Sequence, residues 1–228
     1  MEGKFRHELK YTIGYADYLA LRARLRAVMQ PDGHVDEEGK YLIRSIYFDN
    51  YRDKALREKQ DGVSKREKFR IRYYNDDFSF ISLEKKMKVN DLCLKLDAPL
   101  TENQCRRLLA GDTGWMLETE NELVREFYLK IKHQQLGPRV LVSYRREPYI
   151  YRPGNVRVTF DQDICTSLFR PNLLEKGAWD IAAGDHPGEM VLEVKFDEYL
   201  PDIIRILLQS AGVRQQAFSK YGACRRFG

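Results

Sequence analysis

An α+β fold in which sheet predominates is predicted by three features of the sequence. About eight stretches alternate apolar and polar residues with the two-residue period of a strand. Hairpin-length gaps, YNDD at 74–77 and RPGN at 152–155, favour antiparallel pairing between neighbours. Three helical stripes each carry an apolar face to bury.

Strands are expected at 4–13, 41–49, 67–75, 78–88, 92–97, 139–151, 156–163 and 189–197. The first helix follows from Tyr18, Leu21, Leu25 and Val28. Short helices fit 52–60 and 102–110, the second opened by Thr101 as N-cap and closed near Gly111. A longer one is marked by Leu123, Val124, Phe127, Tyr128 and Ile131, and a last one by Ile203, Ile204, Leu207, Leu208 and Ala211. Glycine and proline are dispersed and no repeat is visible, so residues 1–228 are read as a single domain.

With 43% hydrophobic residues the chain can bury a real core, and its net charge of +5 suits an anionic partner without requiring one. The longest apolar runs, VLV at 140–142 and IIRILL at 203–208, fall far short of the ~20 residues that span a bilayer, and MEGKFRHELK has no signal-peptide core. A cytoplasmic protein without a membrane segment is expected. Cys93, Cys105, Cys165 and Cys224 lack C-x-x-C spacing, and His7, His34, His133 and His186 do not cluster with them, so neither a zinc site nor a disulfide framework is indicated.

The strands share a peculiarity. In FRIRYY, Phe69, Ile71 and Tyr73 point one way and Arg70 and Arg72 the other. The same division sets Arg6, Glu8 and Lys10 against Leu9 and Tyr11, and Glu84, Lys86 and Lys88 against Leu83. It sets Arg157 and Asp161 against Val158 and Phe160, and Glu193 and Lys195 against Leu192, Val194 and Phe196. One such strand is an ordinary sheet with a wet face. Across five, cations outnumber carboxylates and recur two residues apart, which costs each row some tenths of a kcal/mol in repulsion. A closed eight-stranded antiparallel β-barrel with helices packed outside resolves this: charged faces line the lumen, apolar faces meet the helices, and an anion relieves the crowding.

These motifs, RHELKYTI, SIYFDN, KFRIRYY, LEKK, SYRREPY, VRVTFD, LEVKF and FSKY in that order, resemble the triphosphate tunnel metalloenzyme superfamily, and within it the VTC-type polyphosphate polymerase domain in its stand-alone bacterial form. The resemblance implies a basic tunnel that binds ATP or another triphosphate and polyphosphate, with Mn²⁺ or Mg²⁺ as cofactor. Carried over to this chain, it makes Lys10, Arg70, Arg72, Lys86, Arg146, Arg157, Lys195 and Lys220 the phosphate ligands. Arg70, Arg72, Lys86 and Glu193 become the catalytic set, with Glu193 as principal metal ligand, Glu8 beside it and Lys95 a weaker phosphate candidate. Ala217 stands where the family pattern has a second lysine.

The residue types suit that chemistry, because Arg forks and Lys point charges follow a phosphate chain and a carboxylate is a hard oxygen donor for Mg²⁺ or Mn²⁺. Glu8, Glu84 and Asp161 also suit a role in spacing the cations. Of adjacent Arg145 and Arg146 only one can face inward, and the resemblance selects Arg146. His7 is read as an outward packing residue, Asp49 as a turn former, and Tyr11, Tyr47 and Tyr144 as core aromatics.

The expected function is an ATP-polyphosphate phosphotransferase. The alternatives are an inorganic or nucleoside triphosphatase of the same fold and a module that binds polyphosphate without chemistry. RNA binding is disfavoured, since the aromatics alternate away from the cations.

Overall fold

Eight long strands, β1 (Arg6–Ile13), β3 (Tyr41–Asp49), β4 (Lys65–Tyr74), β5 (Asp77–Val89), β6 (Leu92–Leu100), β7 (Gly137–Tyr151), β8 (Val156–Ser167) and β10 (Met190–Phe196), match the eight expected segments to within a few residues. They pair antiparallel in the closed order β7-β3-β4-β5-β6-β1-β10-β8, with β8 returning to β7. The thinnest seam joins β1 to β6 through only two residue pairs, Arg6 with Cys93 and His7 with Leu92. Two-residue strands β2 (Gln30–Pro31), β9 (Ile181–Ala182) and β11 (Arg214–Gln215) add to β7, β8 and β1. The computed structural model describes residues 4–167, 174, 181–183, 188–209, 214–215 and 218–225, so Ala211 and Ala217 lie outside the described residues.

Local chemistry sets the connections. Asn75 and Asp76 both take positive φ between β4 and β5, the conformation a tight two-residue hairpin needs to follow strand twist. At the RPGN turn, Gly154 has φ of 70°, and an added Cβ would lie 2.9 Å from the Tyr199 carbonyl oxygen, so glycine is required there on two counts.

The helices cover the outer apolar faces. Helix α1 (Tyr15–Arg26) buries Tyr18, Leu21 and Leu25 against Val158, Phe160, Leu192 and Val194, and α5 (Asp202–Leu207) adds Ile204 to the same cluster. A buried carboxylate fixes α1 on the sheet: Glu147 of β7 accepts from the Tyr18 hydroxyl at 2.6 Å and from Arg22 Nε at 2.6 Å. Helices α3 (Glu102–Leu109) and α4 (Glu122–Gln134) cover the other side, where Cys105, Leu108, Val124 and Phe127 meet Phe48, Phe69, Ile71 and Leu83. Thr101 caps α3 as expected, its hydroxyl accepting from Gln104 N in a reciprocal capping box, and Gly111 follows the helix with positive φ.

Two departures concern the interior. The helix expected at 52–60 forms as α2 (Lys54–Gln60), but Asp49 is more than a turn former. It is 1% exposed, accepts from Ala55 N and Leu56 N at the start of α2, and accepts the Tyr221 hydroxyl at 2.7 Å. The FSKY segment starts an unexpected five-residue helix, α6 (Lys220–Cys224), whose Tyr221 and Cys224 pack on Ile43, Val142, Tyr144 and Val191. These residues alternate with Ile46, Phe48 and Leu141 of the outer core, so α6 covers inner faces of the ring. The lumen is therefore lined by charge on one side and filled by a small apolar core on the other.

Phe127 sits stacked on Phe69 and edge-on to Phe48, with ring centroids 4.8 and 5.0 Å away, and is fully buried. Phe127→Ala is expected to lower unfolding free energy by about 3–5 kcal/mol; urea titration followed by far-ultraviolet circular dichroism measures it.

Candidate active site

Pairing across the ring brings the charged rows together. On β4 and β5, Arg70 faces Glu84 and Lys68 faces Lys86; on β1 and β10, Lys10 faces Glu193 and Glu8 faces Lys195; on β7 and β8, Arg146 faces Asp161. Lys220 enters from α6, its ammonium 2.5 Å from Asp161. The interior thus gathers Lys10, Lys68, Arg70, Arg72, Lys86, Arg146, Lys195 and Lys220 around Glu8, Glu84, Asp161 and Glu193, a pronounced excess of positive charge.

Each carboxylate serves more than one cation. Glu84, 1% exposed, accepts from Arg70 Nε at 2.7 Å and holds Lys95 at 2.9 Å, with Arg72 at 3.8 Å. Asp161, fully buried, takes a bidentate fork from Arg146 at 2.6 and 2.8 Å besides Lys220. Glu8 contacts Lys86 at 2.5 Å and Lys10 at 3.0 Å; Glu193 contacts Lys195 at 2.7 Å, Lys10 at 3.5 Å and Arg146 at 3.9 Å. Burial alone would push these acids up, but the surrounding ammonium and guanidinium groups outweigh it and hold Glu8, Glu84, Asp161 and Glu193 below the usual carboxylate range.

The excess of cations also lowers Lys68 and Lys195, disfavouring their charged form, whereas Lys10 is raised because Glu8 and Glu193 outweigh its burial. Burial, with Lys86, Lys10 and Arg70 nearby, pushes Lys68 down to about 8, and Tyr47 rather than a carboxylate supports its charge. Lys195 is lowered to about 8 by burial, with Lys86 and Arg146 adding to it against Glu193 and Glu8. A cavity of about 680 Å³ opens beside this row. Lys10, Lys68 and Lys86 line it together with Lys59 of α2, Arg66 and Lys88, and these cations outnumber the carboxylates Glu8, Glu67 and Asp91 of the same lining. Lys59 is itself lowered by burial and by Arg66, Lys10 and Lys88.

Every sequence-predicted site residue is accounted for by position. Lys10, Arg70, Arg72, Lys86, Arg146, Lys195, Lys220, Glu8 and Glu193 converge inside the ring. Arg157 lies nearer the rim, its Nη2 donating to Asp32 at 2.6 Å and to the Tyr41 hydroxyl at 2.8 Å. Lys95 is half exposed between Glu84 and Asp97. Arg145 turns outward to Glu38, leaving Arg146 as the inward arginine of the pair, and His7 stacks on Phe196 with ring centroids 5.0 Å apart. Tyr47 and Tyr144 are buried, but the core-aromatic reading is incomplete: their hydroxyls accept from Arg70 at 2.8 Å and from Arg72 at 3.1 Å. Lys68 and Arg66, outside the residues expected from the sequence, continue the Arg70 row by steps of two and line the cavity. Nothing in the sequence flagged Lys59.

Glu8 and Glu193 both reach Lys10 Nζ, so their oxygens converge on one positively occupied point. Among the described residues no set of three or more His, Cys, Asp or Glu side chains forms a metal cage. Two convergent carboxylates nevertheless fit Mg²⁺ or Mn²⁺, which commonly take one or two carboxylates and complete their shell with phosphate oxygens and water.

Residues 5–227 match the VTC domain. The chain belongs to the VTC domain family. Comparison with curated proteins gives no match. Among solved structures, the candidate adenylyl cyclase HpAC1 from Hippeastrum, reported with a dominant triphosphatase activity, is similar with a TM-score of 0.55 at 13% identity over 98% of this chain and 96% of that one. A candidate adenylate cyclase from Bacillus halodurans gives 0.52 at 15% identity over 86% and 82%. At these identities the likeness is one of fold, and that fold is the triphosphate tunnel, whose family binds triphosphates and generally uses divalent metal ions. Among the described residues of this VTC domain, no helix is long and apolar enough to cross a membrane.

Removing the charge of Asp161 leaves Arg146 and Lys220 facing each other without their shared counter-ion. Asp161→Asn is expected to cost about 3–5 kcal/mol of stability, and added tripolyphosphate should raise the melting temperature of the variant more than that of the parent. Differential scanning calorimetry with and without the anion reads both effects.

Proposed function

We propose that this VTC domain, taken as one tunnel domain over residues 1–228, is a metal-dependent polyphosphate polymerase that transfers the γ-phosphoryl group of ATP to a growing polyphosphate chain. The observation that carries this reading is the continuation of the basic lining from Lys10, Lys68 and Lys86 outward through the cavity to Lys59, Arg66 and Lys88. A triphosphatase needs to hold three phosphates. A polymerase must also hold the chain that accepts the γ-phosphoryl group, and an outer lining in which Lys59, Arg66 and Lys88 outnumber Glu67 and Asp91 supplies that hold.

The transfer breaks the bond between the γ-phosphorus and the β,γ-bridging oxygen and forms one to a terminal oxygen of the polyphosphate chain, with ADP leaving. Little covalent chemistry falls to the protein, so the cations carry the work by position. In this reading Arg70, Arg72 and Lys86 brace the transferred group and the charge that develops on its oxygens. Lys10, Arg146, Arg157, Lys195 and Lys220 hold the remaining phosphates. Glu193, with Glu8, would hold Mg²⁺ or Mn²⁺, which supplies further neutralisation of phosphate charge when bound. The dispersed cysteines Cys93, Cys105, Cys165 and Cys224, without C-x-x-C spacing, suit a reducing cytoplasm, where ATP is at hand.

A triphosphatase of the same fold is the second reading, favoured by the activity of the Hippeastrum protein. Incubation with ATP and Mn²⁺ or Mg²⁺, resolving ADP, free phosphate and polymer, separates the two: ADP with polymer supports the polymerase, ADP with free phosphate alone the triphosphatase. Arg72→Ala is expected to weaken triphosphate binding on the order of 10- to 100-fold, the loss of one or two charge-assisted hydrogen bonds. Glu193→Gln should abolish metal-dependent turnover while the melting transition persists. Full activity in both variants overturns the assignment of the site.

A further inference from the structure

Tyr47 holds a place that a carboxylate would ordinarily take. It sits directly opposite Arg70 across the β3–β4 pair, and its hydroxyl accepts from Arg70 Nη1 at 2.8 Å. Its ring lies beneath two cations, Lys68 Nζ at 5.5 Å and the Arg70 guanidinium at 5.6 Å from the centroid. The ring stacks on Tyr221 at 5.1 Å and 27°. Tyr221 is in turn tied through its hydroxyl to Asp49, which accepts from the first turn of α2. The charged groups acting on the phenol are therefore Arg70, Lys68 and Arg72 from β4 and Lys10 from β1, with neutral Tyr221 on the α6 side.

Glu84 satisfies the Nε side of Arg70, yet among the described residues no carboxylate is paired with Lys68, whose charge is supported by Tyr47. A carboxylate at position 47 would pin both cations permanently and repel an arriving phosphate. A phenol is anionic or neutral without changing shape. Burial opposes its ionisation, but Arg70, Lys68 and Arg72 prevail and bring Tyr47 down to about 7, whereas Tyr11, Tyr18 and Tyr41 are raised.

We propose that Tyr47 is a positioning residue and proton acceptor of the tunnel: its phenolate neutralises Lys68 and Arg70 while the site is empty, and it takes up a proton as an incoming phosphate group replaces it as their counter-ion. The inference rests on the phosphate-binding reading of the same site. The step balances simply. The phenolate oxygen gains a proton from solvent, forming its O–H bond, the Arg70 Nη1–H turns from that oxygen to a phosphate oxygen, and no other covalent bond changes. Lys68 moves in the same direction, because an anion beside it favours its ammonium form.

Binding of inorganic tripolyphosphate near pH 8 should therefore be accompanied by net proton uptake, measured by isothermal calorimetry in two buffers of different ionisation enthalpy. Near-ultraviolet difference spectra of the wild-type chain should show a tyrosinate band forming as pH rises through about 7 and collapsing when tripolyphosphate is added. In Tyr47→Phe that band should be missing, uptake should fall by up to about one proton, and the pH profile of kcat/KM should lose the corresponding limb. A wild-type protein that binds tripolyphosphate with no loss of tyrosinate overturns the role of Tyr47 and leaves the phosphate site standing. Equal uptake in parent and variant has the same consequence. A wild-type protein that does not bind tripolyphosphate overturns the phosphate-site reading and this inference together. The wild-type spectra decide the matter even where the variant fails to fold.

Discussion

Closure of the ring confines more positive than negative charge on its inner faces. In an open sheet, Lys68, Lys86 and Lys10 would turn to water and their repulsion would be screened within about a Debye length. Here they share a half-enclosed space in which burying each cation costs several kcal/mol unless it is paired. The chain meets this constraint by making four carboxylates do multiple duty. Glu84 reaches Arg70, Arg72 and Lys95; Asp161 reaches Arg146 and Lys220; and Glu8 and Glu193 divide Lys10 between them. A carboxylate for each remaining cation would neutralise the interior and close the site to anions. The remaining positive excess is what makes the interior receptive.

Such an interior contributes little to stability, so the fold must be held from elsewhere. Two apolar clusters outside the ring, under α1 and α5 and under α3 and α4, bury the large side chains. The third cluster lies inside, where α6 brings Tyr221 and Cys224 against Ile43, Val142 and Val191. That inner core also stiffens the polar side: it places Lys220 on Asp161 and presses Tyr221 against Tyr47. Stability and site geometry are joined at α6, although it is only five residues long.

How much of this the sequence revealed depended on contrast within each strand. Where apolar and charged residues alternate cleanly, as in FRIRYY or LEVKF, both the strand and its inner face were legible, because a period of two leaves only one face for the cations. SIYFD was legible as a strand but not as a lining element, since Ile46 and Phe48 outside and Tyr47 inside are all large and apolar by composition. The tyrosine hydroxyls on Arg70 and Arg72 therefore went unread. Lys68 belongs to the same legible row, two residues before Arg70 on β4. Arg145 and Arg146 gave no local criterion, because adjacent residues on a strand must face opposite ways whichever is inward. Lys59 and α6 enter the site through tertiary packing, and a five-residue helix carries too short a periodicity to announce itself.

The two kinds of cation are not distributed at random. Arg70, Arg72 and Arg146 are each fixed by a carboxylate or tyrosine hydroxyl through a planar fork, so their orientation survives in the empty site. The cavity side is instead dominated by Lys10, Lys68, Lys86, Lys59 and Lys88, with Arg66 at its outer reach. Lysine is a point charge on a flexible stem, and it can follow an anion that changes place. On the proposed reading this division fits the two demands of a polymerase, a rigid set of forks where the phosphoryl group must be aligned for transfer and a compliant set where the lengthening chain must slide. A triphosphatase releases short products and has no use for the second set.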